Sequence, residues 1–247
     1  MAPNNTVNRT PGKTRWRCAV DLLAGAGYRK RSAHIKLSVS AKSTHSGFCA
    51  LCGQRATKTT MLSHVETCAA AHDEIGQRQS LVVLRFGPVG APRYWLVIEA
   101  KADAQLGQVD ELLRQVWLEC CGHMSAFRVG RRELAMTTAT AIAFASAASK
   151  VDYEYDFGST TALTGELIGK RHGSIGRASV RLLARNEPIL WPCGECSAPA
   201  TLVCPFCIDS DDGLFCDAHA DVHEHAGEEV YLPVVNLPRM GVCDYTG

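Results

Sequence analysis

Eight residues able to bind a metal crowd into one short segment of this chain. Residues 193–225 read CGECSAPATLVCPFCIDSDDGLFCDAHADVHEH. They place Cys193, Cys196, Cys204, Cys207, Cys216, His219, His223 and His225 at the spacing C-x2-C-x7-C-x2-C-x8-C-x2-H-x3-H-x-H. A C-x2-C turn aims both thiolates at one ion, and eight sulfur and imidazole donors suffice for two tetrahedral zinc ions. The segment holds too few large apolar residues to bury a core of its own. Metal binding is therefore expected to supply its folding free energy.

A second constellation lies at residues 48–72, FCALCGQRATKTTMLSHVETCAAAH. Cys49-x2-Cys52 forms a knuckle, and after eleven intervening residues His64-x3-Cys68 presents two donors one helical turn apart. This is the logic of a CCHC-type finger, in which a turn supplies two thiolates and a short helix the other pair. His72 is an alternative to Cys68 as fourth ligand. Phe48 and Met61 sit where such fingers keep a small apolar core, whereas the usual aromatic between the ligand pairs is missing. In the C-terminal segment two pairings are open. A cross-braced arrangement resembling a B-box puts Cys193, Cys196, Cys216 and His219 on one ion and Cys204, Cys207, His223 and His225 on the other. A sequential arrangement makes one site of four cysteines and one of a single cysteine with three histidines. The seven-residue gap between knuckles is short for a sequential ribbon and favours the brace. Both stretches offer full ligand sets, with none of the open positions that a catalytic zinc keeps. About three structural zinc ions are expected.

The elements that must hold these clusters come from an ordinary globular composition, 46% hydrophobic and 21% charged over 247 residues. That length suits one medium domain with small modules attached. Twelve cysteines gather mostly in C-x2-C and Cys/His clusters, and no apolar signal region occurs in the first thirty residues. Both features point to a reducing, cytoplasmic setting with thiols held by metal. The uncharged run Leu134 to Ser149 is short for a bilayer span and rich in Thr, Ala and Ser, so it reads as a buried or partly buried helix, and no membrane contact is expected. The net charge of +1 hides a gradient. Residues 1–70 carry eleven Lys/Arg against two Asp/Glu, whereas residues 186–247 carry one against eleven. One end is built to meet anions and the other to repel them.

Along the chain, 1–45 is a basic and partly disordered arm, 46–73 the finger, 75–187 one α+β domain, and 188–247 the Cys/His-rich module with a tail. Within the α+β domain, Ser80 to Phe86 and Arg93 to Glu99 read as strands around a Gly/Pro turn. Leu106, Val109, Leu112, Leu113, Val116, Trp117 and Cys120 recur at helical spacing and predict a long amphipathic helix over roughly 104–121. Further strands are expected at His123 to Val129, Tyr153 to Phe157, Leu163 to Ile168 and Ala178 to Ala184. Together they form a central mixed sheet packed by the helix.

Several of these segments agree in order and spacing with a known family. Trp95-Leu-Val-Ile-Glu99, Gln115-Val-Trp-Leu-Glu-Cys-Cys-Gly122, His123-Met-Ser-Ala-Phe127 and Tyr155-Asp-Phe-Gly158 resemble the root-inducing-plasmid ORF-three-like family, met as passenger proteins of plasmids and insertion elements. The resemblance covers residues 80–185 and implies an accessory protein of a mobile element. Its hallmarks are "HL-x-x-F" after the long helix and a later "YDFGD-x-W-x-H". Here Ser159-Thr160-Thr161-Ala162-Leu163 follows Gly158, so the acidic, Trp and His positions are absent. Any polar site those residues form in relatives is lost.

Other motifs carry less. Asp156-Phe157-Gly158 resembles a kinase magnesium loop, but the phosphate loop, strand lysine and catalytic loop are missing. Cys120-Cys121 reads as packed thiols at a helix end, since neither has an activating partner nearby in sequence. His123 reads as a hydrogen-bonded structural residue. Three function classes follow. The first is a non-enzymatic zinc-binding adaptor whose acidic C-terminal module docks a protein partner. The second is a weakly specific nucleic-acid binder using residues 1–70. The third is an enzyme with a pocket around His123, Asp156 and Glu99.

Overall fold

The computed structural model describes residues 46–145, 150–208, 213–226 and 231–247. The basic arm expected at 1–45 lies outside the described residues. The elements run β1 (Ser46–Cys49), β2 (Arg55–Thr57), α1 (Lys58–Ala71), β3 (Gln79–Pro88), β4 (Leu96–Lys101), α2 (Leu106–Leu113), β5 (Ser125–Val129), β6 (Arg132–Leu134) and α3 (Thr140–Ala143). They continue with β7 (Lys150–Tyr155), β8 (Thr161–Gly173), β9 (Val180–Asn186), β10 (Leu202–Val203), β11 (Leu214–Phe215), α4 (Asp217–Ala220) and β12 (Leu232–Pro233).

Nine strands form one sheet in the order β2-β1-β9-β4-β3-β8-β7-β5-β6, and β11-β10-β12 form a small second sheet. Every pairing in the large sheet is antiparallel. The expectation of a mixed sheet is corrected accordingly: among the described residues, no strand–helix–strand crossover returns the chain parallel to its starting strand. Register slips once between Val83 and Leu84 against β8 and once between Val97 and Ile98 against β9.

Strand β4 explains the layering. Its residues Leu96 to Ala100 are buried on both pleat faces, as in a strand covered on both sides, with Glu99 the one charged side chain among them. Leu96, Ile98 and Ala100 face the main core with Val82, Leu84 and Phe86 of β3 and with Leu106, Val109, Leu113 and Trp117 of the helical segment. Val97 and Val83 face the other way, into a second core with Trp95 and the apolar face of α1. Period-two alternation thus sends neighbouring residues of one strand into two different layers.

The long helix expected over 104–121 is shorter. Helix α2 opens with the Gln105 backbone N–H donating to Gln108 Oε1 at 3.0 Å. After Leu113 it widens into one π-helical turn, Arg114–Leu118, closed by the Glu119 N–H donating to the Arg114 carbonyl at 2.9 Å. Glu119 is then extended, and its carboxylate accepts the Gly122 N–H at 2.7 Å. The chain turns there because Gly122 takes φ +83. The helix expected at Leu134 to Ser149 reduces to the four residues of α3, with residues 146–149 outside the described set.

The main core does not stop at residue 187. Trp191, Ala200, Val203, Ile208, Leu214 and Met240 pack into it. Asn236 fastens the approach, its Oδ1 accepting the Ile189 N–H at 3.0 Å and the Asn186 side-chain amide at 3.1 Å.

Candidate metal centres

Among the described residues, four Cys/His groups bring their ligand atoms within 4.8 Å of one another, and each is geometrically suited to a metal ion. They are Cys49, Cys52, His64 and Cys68; Cys193, Cys196, Cys216 and His219; Cys204, Cys207, His223 and His225; and Cys120, Cys121, His123 and Cys243. Bonds of about 2.3 Å to sulfur and about 2.0–2.1 Å to nitrogen around a tetrahedral ion place sulfurs about 3.8 Å apart and sulfur about 3.5 Å from nitrogen. The groups can be judged against those spacings.

The first group is built by β1, β2 and α1. Helix α1 starts at Thr57, whose hydroxyl accepts the Thr60 N–H at 3.4 Å. The helix carries His64 and Cys68 at i and i+4, on the side facing the knuckle. The Cys49 and Cys68 sulfurs are 3.7 Å apart, and Cys52 Sγ is 3.3 Å from His64 Nε2. Burial and the neighbouring Cys49 and Cys52 sulfurs push the Cys68 thiol up to about 12. A cation between the three sulfurs is what would let them all ionise. His72 stands outside the group. Its Nδ1 is 2.8 Å from the Cys68 carbonyl, which can only accept, so that nitrogen carries the proton.

This unit takes its core from the large sheet. Met61, Val65 and Ala69 are buried against Trp95, Val97, Leu183 and Ala184, whereas Phe48 is only half-buried. The aromatic missing from the finger's own sequence is Trp95, donated by the segment leading into β4. Gly47 permits the contact, since a Cβ there would fall 2.3 Å from Trp95 Cζ2. The C-terminal end of α1 is fastened by Arg181, which donates to the carbonyls of His72 at 2.9 Å and Ala69 at 3.3 Å.

The C-terminal groups flank the small sheet. Cys193 Sγ and Cys216 Sγ are 3.4 and 3.3 Å from His219 Nδ1, and the Cys196 and Cys216 sulfurs are 3.9 Å apart. In the other group the contacts run from 3.2 to 3.5 Å: Cys204 and Cys207 against His225 Nδ1, Cys207 against His223 Nε2, and one imidazole against the other. The first knuckle thus gathers with the third ligand pair and the second with the fourth. Backbone N–H groups point at the knuckle sulfurs, from Glu195 to Cys193 at 3.4 Å and from Ala198 to Cys196 at 3.5 Å. Burial works against the Cys193 thiolate, but backbone donors from Cys216, Glu195 and Cys196, with the His219 ring, bring it down to about 6.

The fourth group escaped the spacing argument. Cys120, Cys121 and His123 follow the π turn, and Cys243 arrives from 120 residues further on, so no local pattern joins them. The reading of Cys120-Cys121 as merely packed thiols is corrected by this neighbourhood. An unclaimed cysteine at 243 beside the run Cys120-Cys121-Gly122-His123 was the available signal.

The pocket imagined around His123, Asp156 and Glu99 is not one site. His123 Nδ1 lies 3.5 Å from Asp156 Oδ1. Glu99 faces the other layer, fully buried, where Arg171 donates to both its oxygens at 2.7 and 3.0 Å and Arg181 to one at 2.5 Å.

No family model matches the chain, and no curated protein matches it. Among solved structures, the crystal structure of a protein of unknown function from Methanosarcina mazei Go1 aligns with a TM-score of 0.33 at 15% identity, covering 50% of this chain and 70% of that one.

Proposed function

We propose that this chain is a non-enzymatic zinc-binding adaptor whose acidic C-terminal module docks a basic protein partner. One observation carries the proposal. The finger and the two C-terminal groups each offer four sulfur or imidazole donors at tetrahedral spacing, a complete set with no position left for substrate or water. Thiolate-rich tetrahedral sets favour zinc among the abundant divalent ions, and closed sets serve folding.

The docking half rests on charge. Arg239 is the single Lys or Arg of residues 186–247, and it is wholly buried against Asp156 at 2.6 Å. Glu195, Asp217, Asp221, Glu224 and Asp244 are exposed, with no basic side chain of the same stretch beside them. The resemblance to plasmid and insertion-element passenger proteins supports an accessory, cytoplasmic role on a mobile element. No helix among the described residues is long and apolar enough to cross a membrane.

Elemental analysis of protein purified without chelator tests the metal half, and one zinc ion per chain or none would refute it. Affinity capture tests the other half, comparing wild type with a variant carrying Glu195, Asp221 and Glu224 as lysines. A partner held equally by both rules out the acidic surface. A second reading, nucleic-acid binding, is favoured by the eleven basic against two acidic residues of 1–70. Removing residues 1–45 deletes nine Lys/Arg and one Asp, and it should weaken such binding and flatten its salt dependence.

A further inference from the structure

The structure assigns a fourth metal centre to Cys120, Cys121, His123 and Cys243, a zinc site that clasps the C-terminal segment to the large sheet. It goes beyond the adaptor reading and does not depend on the partner. Cys121 Sγ lies 3.7 Å from the sulfurs of both Cys120 and Cys243 and 3.0 Å from His123 Nε2, and Cys243 Sγ lies 3.7 Å from the same nitrogen. A disulfide would require sulfurs about 2.05 Å apart. Spacings of 3.7 Å are those of thiolates sharing one tetrahedral ion.

The surroundings of the group point the same way. His123 turns Nε2 toward the sulfurs and Nδ1 toward Asp156. A carboxylate behind the far nitrogen of a metal-bound imidazole fixes its tautomer and raises its basicity. Asp156 is itself held, because Arg239 Nη2 donates to its Oδ2 at 2.6 Å and the Gly158 N–H to its Oδ1 at 2.9 Å.

Backbone strain gathers here as well. Among the described residues two non-glycines have positive φ, Asp156 at 64° and Cys243 at 55°. One is a ligand and the other backs a ligand. Strained φ values of this kind persist where the surroundings over-determine them, as at a ligand clamp.

Charge completes the case. Three thiolates and a neutral imidazole around a divalent ion carry a net charge of −1, and the Arg239–Asp156 ion pair behind His123 sets no further net charge against it. The Arg239 guanidinium is fully buried and lies over the Tyr155 ring with its carbon 4.9 Å from the centroid. The stretch that brings Cys243 also brings the cation that holds Asp156 in place behind His123. All four ligands are at least partly exposed, unlike the other three groups, each of which holds a buried cysteine. An ion can enter after the sheet has folded.

The experiment counts zinc per chain in full-length protein purified under reducing conditions without chelator, comparing wild type with Cys243→Ser and with Cys121→Ser. Cys121 is exposed, so its variant serves if Cys243→Ser fails to fold. The expected result is one zinc ion fewer in each variant than in wild type, with unchanged far-ultraviolet circular dichroism. Equal metal content in wild type and in a folded variant would overturn the site. So would a wild-type mass 2 Da low with Cys121 and Cys243 closed to alkylation, the signature of a disulfide. Cys204→Ser run alongside separates the two proposals, because its loss of one ion reports the C-terminal module alone. A wild type holding no zinc overturns both.

Discussion

Replacing Glu99 by glutamine probes the ion cluster that ties the finger to the sheet. Glu99 is fully buried and receives three guanidinium hydrogen bonds, two from Arg171 and one from Arg181. The amide keeps the shape but removes the charge that neutralises both arginines, whose side chains are only 14% and 12% exposed. Removing one partner of a buried pair costs about 3–5 kcal/mol. Arg171 still has Asp73 at 2.7 Å, and Arg181 still has the Ala69 and His72 carbonyls. The lower end, about 3 kcal/mol, is therefore expected. With a urea m-value of about 3 kcal/mol/M, suited to a chain of this size, the midpoint falls by about 1 M. Equilibrium urea unfolding followed by the fluorescence of buried Trp95 and Trp117 measures it. Because Arg181 holds the end of α1, the variant should also release the finger's ion to a chelator faster. A midpoint within about 0.3 M of wild type is what an exposed pair would produce, and it would refute the account.

Three other outcomes follow from the same packing. Gly47→Ala drives a Cβ to 2.3 Å from Trp95 Cζ2 and 2.5 Å from the Arg185 carbonyl. Overpacking of about 1–3 kcal/mol should lower Tm by about 2–4 °C per kcal/mol in calorimetry, and an unchanged Tm would contradict the contact. Burial raises the Glu166 carboxyl, but Arg85 and Lys150 outweigh it and hold the group below its ordinary range. A depressed folded-state pKa gives stability fully present above the unfolded value of about 4.3 and lost as pH falls through the folded one. Glu166→Gln should therefore be less stable than wild type at pH 6, with the gap closing between pH 5 and pH 3; a constant gap would count against the ion pair. Cys204→Ser should speed limited proteolysis within residues 193–225, read by fragment mass, and cleavage at the wild-type rate would argue against a metal-dependent fold there.

What could be read from sequence was local. The knuckles and the His64–Cys68 pair are spelled by spacing over a few residues, and strands β3, β4, β5, β7, β8 and β9 by short apolar runs, whereas the three-residue β6 carries no such run. Residues joined across the fold carry no such signature. Trp95 completing the finger core, Arg239 reaching Asp156 and Cys243 reaching His123 are each more than twenty residues from their partners. Helix α2 was overestimated because Val116, Trp117 and Cys120 keep an apolar rhythm through a π turn, which changes the hydrogen bonding while preserving the buried face. Antiparallel pairing throughout was also illegible, since a strand buried on both faces looks the same in either kind of sheet.

The position of β1 and β2 at one end of the nine-strand order has a consequence for solubility under metal starvation. An open sheet ends in unpaired N–H and C=O groups that invite a second chain to add a strand. Here the outer strands are β2 and β6, three residues each, too short to template much. The longer β9 is shielded along part of its length only by β1, a four-residue strand that ends in Cys49. If the ion at Cys49 and Cys68 leaves, β1 keeps only its short pairing with β9, the Ser46 and Arg55 contacts to Glu187 and the packing of Gly47 on Trp95, and any loosening there bares a flank of β9 to other molecules. Chelation should thus show itself first as self-association, before any loss of the central core.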